Sequence, residues 1–214
     1  MEKLNILCYQ LQGCLYLWIR YNVIFKISLK PKLVIIKLGG SVITFKEKPL
    51  SANYKAINNI SKILSKLEIP LIIVHGGGSY GHYWSVKFDM HTKLQTYHPH
   101  GISVVHSSML TLNNIIINAL DKHRLNPYGI SPSSLLINGQ PNSNKIIELK
   151  KMTKHNITPV TYGDAVYIKN NKYSILSGDV LMTMLSKILQ PSKIIFALNV
   201  DGLYNNIIDK KIIK

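Results

Sequence analysis

The residues best suited to chemistry stand at the end of an apolar run, at positions 71–82. The run Leu-Ile-Ile-Val-His is followed by three glycines and then by Ser-Tyr-Gly-His. Glycines that follow a strand and open a helix let backbone N–H groups approach a ligand closely, and the helix N-terminus adds a partial positive charge. This pattern favours binding of an anion, above all a phosphate group.

Two other motifs overlap with the same stretch. Residues 76–81 fit the G-x-G-x-x-G pattern of dinucleotide-binding proteins, but a strand already precedes them and no acidic residue stands near Gln95, about 20 positions on. Residues 77–81 fit G-x-S-x-G, in which Ser79 is a hydrolase nucleophile and needs a later acidic residue and then a histidine. The last histidine is His155, and few acidic residues precede it. A plain phosphate cradle is therefore the favoured interpretation, with the hydrolase as an alternative.

The elements that must position these glycines alternate along the chain. Uninterrupted apolar runs predict strands, and apolar residues at helical spacing predict helices. Strands are predicted at residues 32–38, from Leu71, at 159–162 and at 193–199, a hairpin at 165–176, and helices at 53–67, after His82, through Met109, at 144–155 and at 179–189. This alternation predicts an α/β fold, a three-layer α/β/α sandwich with a mainly parallel open sheet.

Glycine and acidic residues recur where the predicted strands end. Ligands of parallel sheets collect at the carboxyl ends of the strands, so these residues are expected to share one edge of the sheet. They are residues 39–41, 76–78, 163–164, 177–179 and 201–202. Together they predict an extended polyanion lying across that edge, and the Walker P-loop pattern is absent from the sequence.

Composition sets the outer limits. The chain has 214 residues, a hydrophobic content of 46% and a net charge of +16. Scattered lysines without a dense basic block favour anionic substrates over nucleic acid. The two cysteines, Cys8 and Cys14, lie near the N-terminus, which favours a reducing cytosol and a cytoplasmic protein. One domain is expected over residues 31–214.

Residues 1–30 form an apolar extension of uncertain status. An appendage, an additional packed helix and a membrane anchor all remain open interpretations. Arg20 and several amide side chains interrupt the apolar run, and such groups are costly inside a bilayer. A membrane anchor is therefore the least favoured of the three.

Several of these motifs together resemble the amino acid kinase superfamily. They are residues 37–44 (Lys-Leu-Gly-Gly-Ser-Val-Ile-Thr) with Lys46, residues 75–82, Tyr162-Gly163-Asp164, Ser177-Gly178-Asp179 and Val200-Asp201-Gly202. More narrowly, the chain resembles archaeal-type isopentenyl phosphate kinases, in which a histidine closes the second glycine loop as His82 does here. The remaining alternatives are a uridylate or acylamino-acid kinase and a non-catalytic nucleotide-binding relative.

The resemblance implies ATP-dependent phosphorylation of isopentenyl phosphate to isopentenyl diphosphate, a step of isoprenoid biosynthesis. It also implies Mg²⁺ with the nucleotide, no protein metal site, and a homodimer. The lysines would neutralise the transferred phosphoryl group, and Asp179 would orient them. The implied catalytic residues are Lys37, Lys46, His82 and Asp179. The implied ATP site is Lys37, Leu38, Gly39, Gly40, Ser41, Gly78 and Asn199. The implied acceptor site is Gly77, His82, Gly163 and Gly178.

The residues themselves agree with that chemistry. An acceptor phosphate is already an anion and needs no strong general base, so positioning and charge stabilisation must provide the catalysis. Lys37 ends a predicted buried strand, where an unpaired lysine is costly unless it has a function. His91, His98, His100 and His106 fit no common metal-ligand spacing and are expected to be solvated loop residues. The helix around Met109 is a candidate wall for an apolar tail.

The chain stops soon after residues 201–202. Members of the family continue there with a further glycine-containing loop and an ATP-contacting lysine. The domain is therefore expected to lack its C-terminal portion. The 214-residue chain is expected to bind ATP weakly, to be a poor or inactive kinase, and to associate through uncovered apolar surface.

Overall fold

The computed structural model describes residues 5–7, 10–11, 14–17, 32–90, 97–170 and 172–199. His91, residues 200–202 and most of residues 1–30 lie outside the described residues. The described parts of residues 1–30 are three short strands rather than a helix.

Twelve strands and six α-helices make up the described part of the chain. The strands are β1 Asn5–Leu7, β2 Gln10–Leu11, β3 Cys14–Leu17, β4 Val34–Leu38, β5 Leu71–His75, β6 Pro127–Gly129, β7 Leu136–Ile137, β8 Gln140–Pro141, β9 Thr158–Tyr162, β10 Asp164–Lys169, β11 Lys172–Leu176 and β12 Lys193–Leu198. The helices are α1 Gly40–Ile43, α2 Tyr54–Leu64, α3 Gly78–Lys87, α4 Pro99–Lys122, α5 Ser143–Thr153 and α6 Gly178–Leu189, with a 3₁₀ turn at Pro132–Leu135.

The central sheet is mainly parallel, as predicted. Its strand order is β2-β3-β12-β4-β5-β9-β6, and β1 also pairs with β12. All neighbours from β3 to β6 are parallel. Among the described strands of this sheet, only the β1–β12 and β2–β3 pairs are antiparallel. The predicted hairpin is also present, as the antiparallel pair β10–β11.

Helices cover both faces of the sheet, which confirms the three-layer sandwich. Successive side chains of a strand point to opposite faces. On β4, Val34 and Ile36 belong to a core that includes buried residues of α2, α3 and α4. Ile35, between them, belongs to a second core with α5 and α6. Each large aliphatic side chain that is fully buried in these cores stabilises the fold by about 1.5–3 kcal/mol.

Helix α4 is the longest element and passes beside the glycine loop. His98 caps its N-terminus by accepting a hydrogen bond from the His100 N–H, and Pro99 occupies the first helical position, which favours initiation. Val105, Met109 and Leu112 lie on its buried face at helical spacing. No helix in the described part of the chain has the length and apolarity needed to cross a membrane.

Two local predictions were wrong, and one strand was missed. Helix α3 begins at Gly78 rather than after His82, so His82 lies in its second turn. Strand β6 was not predicted because Pro-Tyr-Gly is neither apolar nor alternating, and pairing with β9 defines it. His100 and His106 belong to helix α4 and not to a loop.

Candidate active site

Two strand ends bring the first two glycine segments together. In the parallel pair β4–β5, Leu38 lies opposite His75, so both strands end at the same edge of the sheet. The Gly76 N–H donates to the Leu38 carbonyl at 2.9 Å. The segments that follow, 39–40 and 76–78, are therefore held in contact by the register of the sheet.

Thr44 fixes these segments to each other. Its Oγ1 donates to the Gly40 carbonyl at 2.7 Å and accepts from the Ser79 N–H at 3.0 Å. Gly78 has a φ of +47°, and a Cβ there would overlap Thr44 Oγ1. A Cβ on Gly40 would overlap the Gly78 backbone nitrogen. Both positions therefore require glycine, because the backbones approach too closely for any other residue.

The N-terminus of α3 presents free backbone donors at this edge. The first N–H groups of a helix have no partner within the helix. Within the described part of the chain, the Gly77 and Gly78 N–H groups have no hydrogen-bond acceptor. The N-terminus of α6, at Gly178, lines the same cavity. The two helix N-termini favour negative charge there.

A cavity of about 260 Å³ opens in front of these donors. Its walls come from the ends of β4, β5, β9 and β11 and from helices α3, α4 and α6. The residues that line it are Lys37, Gly40, Gly76, Gly77, Gly78, Gly81, His82, Ser85, Val105, Met109, Gly163, Asp164, Ile175, Leu176, Ser177, Gly178 and Asp179.

Lys37 supplies a cation to this cavity. Its Nζ lies 2.7 Å from Asp179 Oδ2, and the Lys37 side chain is 11% exposed against 70% for Asp179. The Lys37 ammonium also lies 5.9 Å from the centre of the Phe196 ring. Asp179 is in the first turn of α6, so its backbone is held by the helix. The ion pair with Asp179 therefore orients the Lys37 side chain and compensates for the burial of its charge.

Part of the cavity wall is apolar. Val105 and Met109 come from α4, one turn apart, and Ile175 and Leu176 come from β11. The cavity is therefore lined both by a cation and hydrogen-bond donors and by apolar groups. Such a cavity suits a small molecule that joins a phosphate group to a short hydrocarbon.

His82 stands between this cavity and a second one. Its exposed side chain lines both, and the second cavity, of about 660 Å³, is also lined by Lys46 and Gly78. Lys46 is exposed and does not line the first cavity. Two adjoining cavities that share Gly78 and His82 have the arrangement needed for two substrates that meet at their phosphate ends.

Comparison with known proteins agrees with this geometry. The model of the amino acid kinase family matches residues 32–214. This chain belongs to the amino acid kinase family. The isopentenyl phosphate kinase of Thermoplasma acidophilum is 35% identical over 174 residues, covering 81% of this chain and 69% of the relative. That of Methanocaldococcus jannaschii is 33% identical over 194 residues, covering 85% and 74%. A crystal structure of an isopentenyl phosphate kinase substrate complex aligns with a TM-score of 0.74 and 32% identity, over 82% of this chain and 72% of that one.

As a member of this kinase family, the chain is a phosphotransferase, and the resemblance inferred from its motifs is confirmed. Of the residues predicted to form the site, eight line the first cavity: Lys37, Gly40, Gly77, Gly78, His82, Gly163, Gly178 and Asp179. Five do not: Leu38, Gly39, Ser41, Lys46 and Asn199.

Three of those five residues have different structural surroundings. The Leu38 side chain is only 1% exposed and belongs to the core. The Gly39 N–H donates to the Ala197 carbonyl at 2.9 Å, so it is occupied within the fold. Asn199 follows β12 and is exposed. For this amino acid kinase, these positions support the site through the backbone or lie outside the cavity.

Ser79 does not have the surroundings of a hydrolase nucleophile. It is 4% exposed, and its Oγ accepts from the Ser51 N–H at 3.2 Å and donates to the Ser51 carbonyl at 3.3 Å. A nucleophile elbow requires a hydroxyl that is presented to substrate beside a histidine base. Ser79 instead links α3 to the segment that follows α1.

Sequence reasoning missed two polar pairs of this kinase. His75 is fully buried, and burial lowers its pKa to about 4 despite hydrogen bonds to Gly76 and Asn113. His106 Nδ1 lies 2.6 Å from Asp164 Oδ2, and burial raises the pKa of Asp164 above its usual value although His106 opposes that change. His106 therefore has a buried carboxylate partner, while its own side chain is 44% exposed. The only sequence signal for these pairs was that His75 and Asp164 adjoin the glycine motifs at Gly76 and Gly163.

Proposed function

We propose that this chain phosphorylates isopentenyl phosphate to isopentenyl diphosphate with ATP as the phosphoryl donor, within isoprenoid biosynthesis. The observation that carries the proposal is the mixed lining of the cavity, which combines glycine N–H groups, Lys37 and His82 with the apolar residues Val105, Met109 and Ile175. The acceptor has the matching pair of groups, a phosphate and a five-carbon hydrocarbon. The similarity to proteins named isopentenyl phosphate kinase supports the same acceptor.

In the proposed reaction, a phosphate oxygen of isopentenyl phosphate attacks the γ-phosphorus of ATP. The new bond joins that oxygen to phosphorus, and the bond from the γ-phosphorus to the bridging oxygen breaks, so that ADP leaves with the electron pair. No proton has to be removed from an acceptor that is already ionised. Catalysis then depends on holding two anions in line and on stabilising the charge of the transferred group.

Each proposed role follows from the position of a residue. Lys37, held by Asp179 at 2.7 Å, neutralises charge on the transferred phosphoryl group. The Gly77 and Gly78 N–H groups donate to phosphate oxygens of the acceptor and of ATP. His82, which borders both cavities, donates to the acceptor phosphate. Val105, Met109 and Ile175 contact the hydrocarbon and exclude water from the reacting groups.

A divalent ion such as Mg²⁺ fits this site only as a companion of the nucleotide. Within the described residues, no group of three His, Cys, Asp or Glu side chains could hold a metal ion. At the cavity, Asp179 pairs with Lys37 and Asp164 pairs with His106. An ion held by phosphate oxygens would supply additional charge neutralisation, with Asp179 as the exposed carboxylate nearest to Lys37.

Acceptor choice tests the proposal. Purified protein should transfer label from γ-³²P-ATP to isopentenyl phosphate and not to uridylate, acetylglutamate or aspartate. An aliphatic wall offers little hydrogen bonding to a uracil ring or to an amino acid, so these compounds should remain unlabelled. Val105→Thr is a matched variant, because threonine has nearly the same shape as valine and places a hydroxyl in the apolar wall without a buried charge. It should raise KM for isopentenyl phosphate far more than KM for ATP. Preference for uridylate would overturn the assignment, and nucleotide binding without any transfer would indicate a non-catalytic relative.

A further inference from the structure

His75 lies at the end of β5 and contacts the glycine loop, but it is not a wall of the cavity. Its side chain is 0% exposed. The imidazole stacks on Tyr162 with 5.3 Å between ring centroids. Nδ1 lies 3.1 Å from the Gly76 carbonyl oxygen, and Nε2 lies 3.2 Å from Asn113 Oδ1. The His75 carbonyl accepts from the Gly163 N–H at 3.2 Å. The proposed transfer has no step for the His75 imidazole.

The two ring contacts determine which nitrogen holds the proton. A carbonyl oxygen can only accept, so Nδ1 must be protonated to bond Gly76. Burial lowers the pKa of His75 to about 4, so near neutral pH the ring is uncharged and has a single N–H. Nε2 is then an acceptor and requires a donor. The Asn113 amide can meet that need by turning its Nδ2 towards Nε2, since the two ends of an amide have the same shape.

The hydrogen bond to Gly76 has a consequence on the other side of the peptide. In a trans peptide the C=O and the next N–H point in opposite directions, and the described chain contains no cis peptide. The Gly76 carbonyl faces the buried ring of His75. The Gly77 N–H therefore faces away from the ring, on the side where Gly77 lines the cavity. This N–H is one of the two free donors described above.

We propose that His75 is a positioning residue. Its neutral, Nδ1-protonated imidazole, held by Asn113, fixes the peptide between Gly76 and Gly77 and so aims the Gly77 N–H at the acceptor phosphate. Glycines have no side chain that could fix their own peptide planes, so a loop of three glycines needs an anchor from outside. The identity of the phosphate rests on the proposed function, whereas the orientation of the loop does not.

The tautomer of His75 can be measured without any substrate. In wild-type protein labelled with ¹⁵N-histidine, a long-range ¹H–¹⁵N spectrum at pH 7 should show one buried imidazole with Nδ1 protonated and Nε2 unprotonated. The His75→Asn variant identifies the signal, because that signal alone disappears. An Nε2–H tautomer or an imidazolium at position 75 would overturn the proposal.

Two substitutions test the effect on catalysis. Asparagine places an amide N–H where Nδ1–H stands, whereas leucine has no donor. In His75→Leu, kcat/KM for isopentenyl phosphate should fall about 10²-fold, the scale of a misplaced reacting group, with little change in KM for ATP. His75→Asn should recover most of that loss. Equal losses in the two variants, or equal effects on both substrates, would show that His75 only fills space.

A binding measurement separates this proposal from the proposed function. Calorimetric titration with inorganic pyrophosphate tests the loop as an anion site without turnover. Affinity should be weaker in His75→Leu than in wild type and largely restored in His75→Asn. Equal affinities in all three proteins would overturn the positioning role. Absence of transfer to isopentenyl phosphate by the wild type would instead overturn the proposed function and leave these binding results interpretable.

Discussion

The loop between β5 and α3 begins at one histidine and leads to another, and the two lie in opposite environments. His75 is the last residue of a buried strand and has no exposed surface. His82 is exposed in the second turn of α3 and borders two cavities. We call these two sides the buried face and the cavity face of the loop. The cavity face also includes Lys37, and the buried face also includes Asn113.

The type of a residue within a motif does not by itself reveal the role of that residue. Both histidines flank the same glycines, but only the element to which each belongs decides whether its imidazole meets substrate or packing. Changes on the cavity face should reduce phosphoryl transfer and leave stability nearly unchanged. Changes on the buried face should alter the stability of the fold, the dependence of that stability on pH, and the direction of the Gly77 N–H. The following predictions test that division.

The largest effect is expected from Lys37→Met on the cavity face. Methionine keeps the length of the side chain and removes the charge that Asp179 orients. Loss of a well-placed cation should lower kcat on the order of 10³-fold or more. Steady-state assays with isopentenyl phosphate measure it, with Lys48→Met, an exposed lysine, as the control. A loss below about 10-fold would remove Lys37 from the catalytic group.

His82→Ala should come next in size. Removing a donor to the acceptor phosphate is expected to lower kcat/KM for isopentenyl phosphate by about 10²–10³-fold. The melting temperature should not change, because the side chain is exposed. His155→Ala, another exposed histidine at the end of α5, should leave both quantities unchanged. An unaltered kcat/KM in His82→Ala would place His82 among ordinary surface residues.

Acid should weaken the fold through the buried face. The folded pKa of His75 is lowered from 6.5 to about 4 because the charged ring is poorly solvated. Above pH 6.5 both the folded and the unfolded states are neutral, so the full stability is present. As the pH falls from 6.5 to about 4, the unfolded chain takes up a proton that the folded chain does not. The free energy of unfolding should drop by about 3 kcal/mol over that window.

Urea unfolding at pH 7 and at pH 4.5 measures this effect. Because other groups titrate in the same range, the difference between wild type and His75→Asn isolates the histidine. The variant should lose clearly less stability on acidification than the wild type. Parallel pH profiles for the two proteins would show that the ring is not held neutral by burial.

The smallest expected effect is a gain in stability at Thr161, beside the stacked Tyr162. Thr161 is 1% exposed, and its Oγ1 has no hydrogen-bond partner within the described part of the chain. Thr161→Val removes an unsatisfied hydroxyl and should raise the free energy of unfolding by about 1 kcal/mol. Thr153→Val is the opposite case, since the Thr153 hydroxyl donates to the Lys150 carbonyl at 2.9 Å. Thr153→Val should lower the free energy of unfolding. A lower free energy of unfolding in both variants would mean that Thr161 Oγ1 has a hydrogen-bond partner.

Much of the fold could be predicted because strands buried on both faces have distinctive sequences. Strands β4, β5 and β12 are apolar runs with few interruptions, and glycine marks the ends of β4 and β5. The alternation with amphipathic helices then leads to the sandwich. Strand β6 could not be predicted, since Pro-Tyr-Gly becomes a strand only through its pairing with β9.

The candidate site also has a part that could be predicted from the sequence and a part that could not. Glycines and Lys37 could be predicted because each is defined by its place after or within a strand. The His75–Asn113 contact joins residues 38 positions apart, and the His106–Asp164 contact joins residues 58 positions apart. Such pairs depend on where α4 packs against the sheet, which no local pattern specifies. The resemblance implied that Lys46 and Lys37 both neutralise the transferred phosphoryl group, and Lys46 lines the second cavity.

The central claim is that the anion-binding edge of this sheet transfers a phosphoryl group to an isoprenoid phosphate. The most direct test is ³¹P NMR of the protein with ATP, Mg²⁺ and isopentenyl phosphate. The account predicts that the single monophosphate signal of the acceptor is replaced by two coupled signals of a diphosphate, with one ADP formed for each. Formation of ADP and free phosphate while the isopentenyl phosphate signal persists would contradict it.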